Sequence, residues 1–430
     1  MAALILVLFL VFAALMFTRR MPAMLALPAL AIAVALIADH RHPVSAIALV
    51  FDTGVTRLAG AMSNAVFGAV LAQVVFTSNI AQTLVKKASE LAGDRAVPVA
   101  LCMMAVSAAA FLALSGLGAV IMVGTLVLPV LVGVGMRPLP AACTYIFGVS
   151  IGLQWNVAGW GFFHELLNVP VGAVATYATI TGVPLIAAAI AYVCINARSR
   201  RSAWTAGGET APAPPPAVSG WALLTPVLPV ALLLGARFLD RLTWGRAPAL
   251  DLNINAVLAL AAVYGILTTA PRELVNRLTG AIVEGIKAVA PVLGLMIGIG
   301  MVIAALTSGP VKQAIAPELA RMIPRTPWGY VLFFGLLSPL ALYRGPLNLY
   351  GLGAAIAVIL SAIYAPHLVM GALMATGLVQ GVCDPTNTML VWTAEFARTD
   401  VNQILRSTLP YVMAAAMASL LFIAAVHWRG

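Results

Sequence analysis

The chain has 430 residues, 62% hydrophobic and only 9% charged, with 24 Lys and Arg against 14 Asp and Glu. A soluble domain carries about 25% charged residues, so the composition excludes a water-soluble globular protein and points to an all-α polytopic membrane protein, whose apolar side chains face lipid while helices satisfy their own backbone. The net charge of +10 does not mark a nucleic-acid binder, because Lys and Arg fall mostly in short gaps between apolar runs and never alternate with aromatics along a polar face.

The opening MAALILVLFLVFAALMFTRR lacks a basic n-region and a clear cleavage site, so it reads as a first span over 2–18. A second span covers 21–38. The amphipathic stretch 44–59 reads as an interfacial arm carrying Asp52 and Arg57, and a third span follows at about 60–77. Residues 79–93 predict a polar-faced interfacial helix. The apolar block 96–135 has a soft middle, LSGLG (114–118), and predicts a re-entrant hairpin. The next span, 138–154, ends in QWN (154–156), a poor sequence for an unbroken helix. His164 and Glu165 follow in what reads as an outer loop, and a span at 171–195 closes the half.

Residues 197–218 are basic, then Gly-rich, then Pro-rich, the composition of a solvated linker. The second half repeats the pattern. Spans are expected at 221–238, 253–270 and 288–307, the last with Glu284 and Lys287 one turn apart near its start. An interfacial stretch at 310–323 leads to a second hairpin over 328–364, broken by RGPLN (344–348). A span at 368–383 ends in CDPTNT (383–388), and a last span covers 408–427.

Glycine pairs support a duplication. Gly116 and Gly345, Gly124 and Gly353, Gly148 and Gly377, and Gly152 and Gly381 each stand 229 residues apart. The predicted division is therefore 1–196 and 219–430, two repeats of five spans, each with a re-entrant hairpin and a broken helix. Basic residues gather in alternate loops, including Lys86-Lys87, Arg137 and Arg198 to Arg201, which the positive-inside bias puts in the cytoplasm. Five crossings per half then make the second repeat inverted, and both termini extracytoplasmic, in a multi-pass protein of the inner (plasma) membrane.

The interruptions carry the chemistry. A broken helix exposes N–H and C=O groups at membrane depth, where they are tolerated only if they line a cavity or bind something. Asp384 is an acid at the end of an apolar span, Pro385 breaks the hydrogen-bond ladder, and Thr386, Asn387 and Thr388 offer side-chain oxygens. The bland alternative is an N-cap on a short helix. Arg344 lies mid-block, where a charge is costly. At a hairpin tip it suits a carboxylate, and its alternative is a snorkelling side chain. Ser115, Gly116 and Gly118 form the other tip. Gln154 and Asn156 supply amides where the second half supplies an acid, and Gly345 and Asn348 complete the second tip. The substrate set is thus Ser115, Gly116, Gly118, Gln154, Asn156, Arg344, Gly345 and Asn348. The coupling-ion set is Asp384, Thr386, Asn387 and Thr388. The four cysteines (Cys102, Cys143, Cys194, Cys383) lie far apart without metal spacing and read as free thiols. No GxxxxGK[ST], HExxH or GxSxG motif occurs, so neither an ATP-driven pump nor an enzyme is expected.

The layout resembles the ion transporter superfamily, which includes the dicarboxylate/sodium symporters and the citrate and gluconate permeases. The segment SGLGAVIMVGTLVLPVLVGVGM (115–136) is similar in style to their first hairpin, and DPTNT (384–388) resembles their broken second-half helix. The resemblance implies an elevator-like carrier of an organic anion whose scaffold forms a homodimer. No cofactor is expected beyond a sodium ion or proton as coupling ion. Family members that use sodium carry Ser-Asn-Thr at both hairpin tips. The tips here read SGLG and RGPLN, which leaves sodium and a proton on Asp384 both open. An antiporter or efflux carrier is the alternative.

Overall fold

A computed structural model describes residues 1–18, 20–92, 95–197, 218–242, 252–361 and 363–428. The described residues hold helices and turns and no strand. The first half contains α1 (Ala2–Phe17), α2 (Ala23–Ala38), α3 (Pro43–Leu49), α4 (Ala59–Thr77), α5 (Ile80–Ala92), α6 (Ala96–Phe111), α7 (Leu117–Gly133), α8 (Pro138–Gln154), α9 (Val157–Leu167) and α10 (Val171–Asn196). The second contains α11 (Leu228–Leu242), α12 (Ile254–Thr269), α13 (Leu274–Thr307), α14 (Gly309–Met322), α15 (Pro327–Leu337), α16 (Ala354–Leu360), α17 (Pro366–Cys383), α18 (Thr388–Phe396) and α19 (Val401–His427). Most of the linker, 198–217, lies outside the described residues.

Five helical runs are long and apolar enough to cross a membrane: Pro43–Thr77, Val171–Asn196, Pro271–Thr307, Pro366–Phe396 and Val401–His427. Shorter apolar helices, α2, α6, α7 and α12 among them, accompany these runs. The protein is therefore a polytopic helical membrane protein. Two expectations change. The stretch 44–59 is not a separate arm. A π-helical turn over Val50–Gly54 carries α3 toward α4, so one 35-residue run spans Pro43–Thr77. Likewise α13 starts at Leu274, well before 288, and absorbs Glu284 and Lys287 as an exposed pair at 2.7 Å. Polar residues on an exposed face do not end a helix whose backbone ladder is intact.

The elements of the first half recur about 230 residues later in the same order. Their contacts recur as well. A Cβ at Gly300 would stand 2.2 Å from the Gly54 carbonyl oxygen, and one at Gly54 would stand 2.6 Å from Met301 Cα. The counterpart contact is Gly285, whose Cβ would reach the Val70 nitrogen at 3.0 Å and Ala69 C at 3.1 Å. Residue 54 meets 300 while 69–70 meet 285, so the run ending in α4 and α13, the run about 230 residues later, pack antiparallel. The same holds for α10 and α19. Tyr177 lies 5.1 Å ring to ring from His427, and the Tyr192 hydroxyl is 2.8 Å from Ser407 Oγ. Lipid gives helices no hydrophobic reason to associate, so close packing through small residues holds them together. The two glycine crossings are of that kind.

The hairpins are braced across the halves. Trp392 of α18 lies on Gly124 of α7, where a Cβ would come within 2.5 Å of the indole. Reciprocally, Phe162 of α9 packs on Tyr350 of the second hairpin, with ring centroids 5.6 Å apart and the rings tilted by 43°. Each short helix after a break thus packs on the other half's hairpin.

Candidate substrate and ion site

The first break is made without proline. α8 ends at Gln154, Asn156 takes an extended backbone, and its Oδ1 accepts from Ala158 N at 3.1 Å to start α9. This N-cap also corrects the reading of 161–170 as a loop. His164 and Glu165 sit on α9, half-buried, with His164 Nδ1 2.7 Å from Val169 O and Glu165 against Gly60 of α4. The Gln154 carbonyl that the break strands is met by a side chain, and a second indole packs beside it. Trp160 Nε1 donates to Gln154 O at 2.8 Å, and Trp155 lies in the space left by Gly182 on α10.

Asn156 does a second job. Its Nδ2 donates to Phe111 O and Leu114 O, both at 3.1 Å, and so fastens the first hairpin where α6 stops. The tip beyond it is open. Ser115, Gly116 and Gly118 are exposed, and Gly116 holds φ 85, a left-handed value that favours glycine. No side chain caps α7 at Gly116, so its first N–H groups point from the tip. The Gln154 side chain is half-buried, and its Oε1 accepts from Thr181 Oγ1 at 3.3 Å.

The second break follows from Asp384-Pro385. α17 ends at Cys383. Asp384 Oδ1 accepts from Thr386 N at 2.9 Å and Thr386 Oγ1 at 2.7 Å, and Asn387 caps α18 through Met389 N at 3.1 Å. Asp384 is 2% exposed. Its carboxylate also reaches the second hairpin, where Oδ1 accepts from Tyr343 N at 2.9 Å and Oδ2 from Asn348 Nδ2 at 3.4 Å. Oδ1 therefore takes three bonds and Oδ2 a single long one. Among the described residues no cation pairs with Asp384 within 4.0 Å. A buried carboxylate without a counter-charge is expensive unless something else binds it.

The second tip is built around this contact. α15 gives way to a 3₁₀ turn over Ser338–Arg344, in which Tyr343 takes φ 55, ψ 33. A non-glycine residue there costs about 1–2 kcal/mol, and the Asp384 bond to its N–H holds it. Arg344 follows directly; its side chain lies outside the described residues. Gly345 is turned so that a Cβ would stand 2.2 Å from Leu340 O. Asn348 is buried, donates to Ala341 O at 3.0 Å and caps the next turn through Tyr350 N at 3.0 Å.

Asn156 and Asn348 are thus engaged with the protein's own backbone, while Ser115, Gly116, Gly118 and Thr388 are exposed. Two further residues join the site. Gln380 Oε1 accepts from Leu349 N at 3.2 Å, one α17 turn before Asp384. Ser150 of α8 is 4% exposed, its hydroxyl has no partner, and it faces Gly381 of α17, where a Cβ would lie 3.4 Å away. Ser150 lies where α8 and α17, the two helices that break, pass each other. In the sequence it is one serine inside an apolar run, with no local signal.

No protein-family model matches the chain, and no curated relative matches it. Solved structures do. The YdaH transporter of Alcanivorax borkumensis superposes with a TM-score of 0.60 at 15% identity, over 89% of this chain and 88% of that one. MtrF of Neisseria gonorrhoeae, described within a class of antimetabolite efflux pumps, gives 0.55 at 13% identity, over 91% and 84%. The fold is that of a membrane transporter. Both neighbours are described as transporters or pumps, and the likeness covers about nine-tenths of this chain.

Proposed function

We propose that the protein is a secondary active transporter that carries a small organic anion, a carboxylate, in symport with a proton or a sodium ion. Its two inverted repeats, 1–196 and 219–430, are joined by the linker 197–218. The antiparallel packing of repeat-equivalent helices supports the inversion, because two equivalent helices that cross a membrane in opposite directions belong to halves of opposite topology. The arrangement supports an elevator-like movement of the two hairpins with the two broken helices, and the layout supports the ion transporter superfamily resemblance.

Asp384 carries the reading. Its carboxylate is buried, lacks a counter-ion among the described residues, and ties the broken helix to the hairpin residue that precedes Arg344. The lightly bonded Oδ2 is the atom offered to a coupling ion. Binding there changes the charge on the group that holds Tyr343, so ion occupancy and the position of Arg344 are one equilibrium. Arg344 meets the anion from one tip, and the uncapped N-terminus of α7 meets it from the other.

The efflux reading has one observation in its favour, the fold shared with MtrF. Both readings are tested in proteoliposomes. Labelled carboxylate uptake driven by an inward proton or sodium gradient supports symport. Uptake driven only by an outward gradient supports exchange or efflux.

A further inference from the structure

At one end of the bundle, the start of α8, the end of α10 and the turn between α18 and α19 surround a cavity of about 590 Å³. Arg137, Arg398, Asn196, Gln403 and Ser407 supply its polar lining, and Ile195 with Leu139 supplies an apolar side. Among the described residues no carboxylate lines it. Neither arginine takes part in an ion pair among the described residues. The nearby Asp400 is occupied as the cap of α19, accepting from Asn402 N at 2.9 Å and Gln403 N at 3.2 Å. Gln403 Oε1 accepts from Thr399 Oγ1 at 3.4 Å, which leaves its amide N–H groups as donors.

Arg398 is an unexpected residue at its position. It holds φ 52 in the turn that ends α18, where Thr399 N donates to Ala394 O at 2.9 Å. Helix ends of this shape favour Gly or Asn. The repeat-equivalent turn after α9 has φ 52 as well, and there the residue is Asn168. Backbone preference explains Asn168 and argues against Arg398.

We infer that this cavity binds a phosphate-class oxyanion through Arg137 and Arg398, in the form of an anionic lipid headgroup. Two guanidiniums without an ion-pair partner among the described residues, with the Gln403 amide as a further donor, match phosphate oxygens, while the Asn196 amide and Ser407 hydroxyl beside them are held by Tyr192 and Tyr411. Ile195, 57% exposed, continues the site along the outside of α10, where an acyl chain would lie. Basic pockets between helix ends recognise such headgroups. The inference rests on membrane residence and not on the transport reading.

The test uses the full-length protein, delipidated in detergent, with phosphatidylglycerol, phosphatidylcholine and inorganic phosphate as probes. Native mass spectrometry reads bound lipid, and thermal shift reads protection. Wild type should retain phosphatidylglycerol over phosphatidylcholine. R137Q and R398Q should each weaken that retention about tenfold, while R325Q, an equal loss of charge elsewhere on the surface, should not. Protection by phosphate alone, lost in the same two variants, would support the oxyanion site and assign it to a soluble ligand. Equal lipid retention in R137Q, R398Q and R325Q, with no phosphate effect, would overturn the inference. Unchanged melting of the lipid-free variants excludes misfolding as the cause.

Discussion

The carboxylate of Asp384 accepts a hydrogen bond from the backbone N–H of Tyr343 at 2.9 Å, across 41 residues of chain. One bond thereby joins the break between α17 and α18 to the tip of the second hairpin. Asn156 makes the corresponding connection in the first half, to Phe111 O and Leu114 O. The first link is made by an amide and the second by a carboxylate, so the second is the one that can gain or lose a charge. D384N keeps the shape and one acceptor oxygen but removes the charge. Gradient-driven uptake in proteoliposomes should fall by at least about tenfold, the factor expected when a contact worth roughly 1.4 kcal/mol is lost. The protein should still purify as a folded species.

Asn156→Ala removes a helix cap and leaves two carbonyls without donors. A cap is worth about 1 kcal/mol, and each orphaned buried group costs about 1–3 kcal/mol. The melting temperature in detergent should drop clearly. Thr388→Ala, at an exposed position beside the other break, should leave it within error.

The glycines separate packing from tip function. Gly300→Ala forces a methyl group against the Gly54 carbonyl where the π-helical turn Val50–Gly54 crosses α13, and overpacking of this kind costs about 1–3 kcal/mol. Thermal melting should show it. Gly118→Ala meets open space within 4 Å, so melting should not change. If the first tip contacts substrate, Gly118→Ala should alter the apparent affinity for the carboxylate while stability holds.

Much of this was legible in the sequence. All four interruptions lie at the places expected from LSGLG, QWN, RGPLN and CDPTNT, because glycine, proline and polar residues inside an apolar run have a direct backbone consequence. The continuity of Pro43–Thr77 was not legible. Asp52, Thr53, Thr56 and Arg57 look like an interfacial face, yet the backbone bonds continue beneath them. His164 and Glu165 read as loop residues until Asn156 is seen as a cap. The roles of Asn156 and Asn348 as braces depend on carbonyls 42 to 45 and 7 residues away, and neither separation has a sequence signature. Ser150 and the Arg137–Arg398 cavity depend on which helices pass each other, which only the tertiary structure supplies.

Helix direction gives a topological prediction. Arg137 and Arg398 line one cavity at one end of the bundle, and the positive-inside bias predicts that this end faces the cytoplasm. Single cysteines at 137 and 398, placed in a background with Cys194 replaced because it is exposed, should both resist an impermeant maleimide added to intact cells. Both should label in inverted vesicles. Labelling of one from each side would contradict the inverted arrangement.

Carboxylate flux into proteoliposomes, under an imposed proton or sodium gradient and with R344A and D384N alongside wild type, tests the central claim most directly. Ion-coupled carriage through the two tips predicts gradient-driven uptake of at least one small carboxylate by wild type. It predicts loss of substrate binding in R344A, and loss of gradient response with retained binding in D384N. Equal carboxylate uptake by all three proteins, or none by wild type under either gradient, would contradict it.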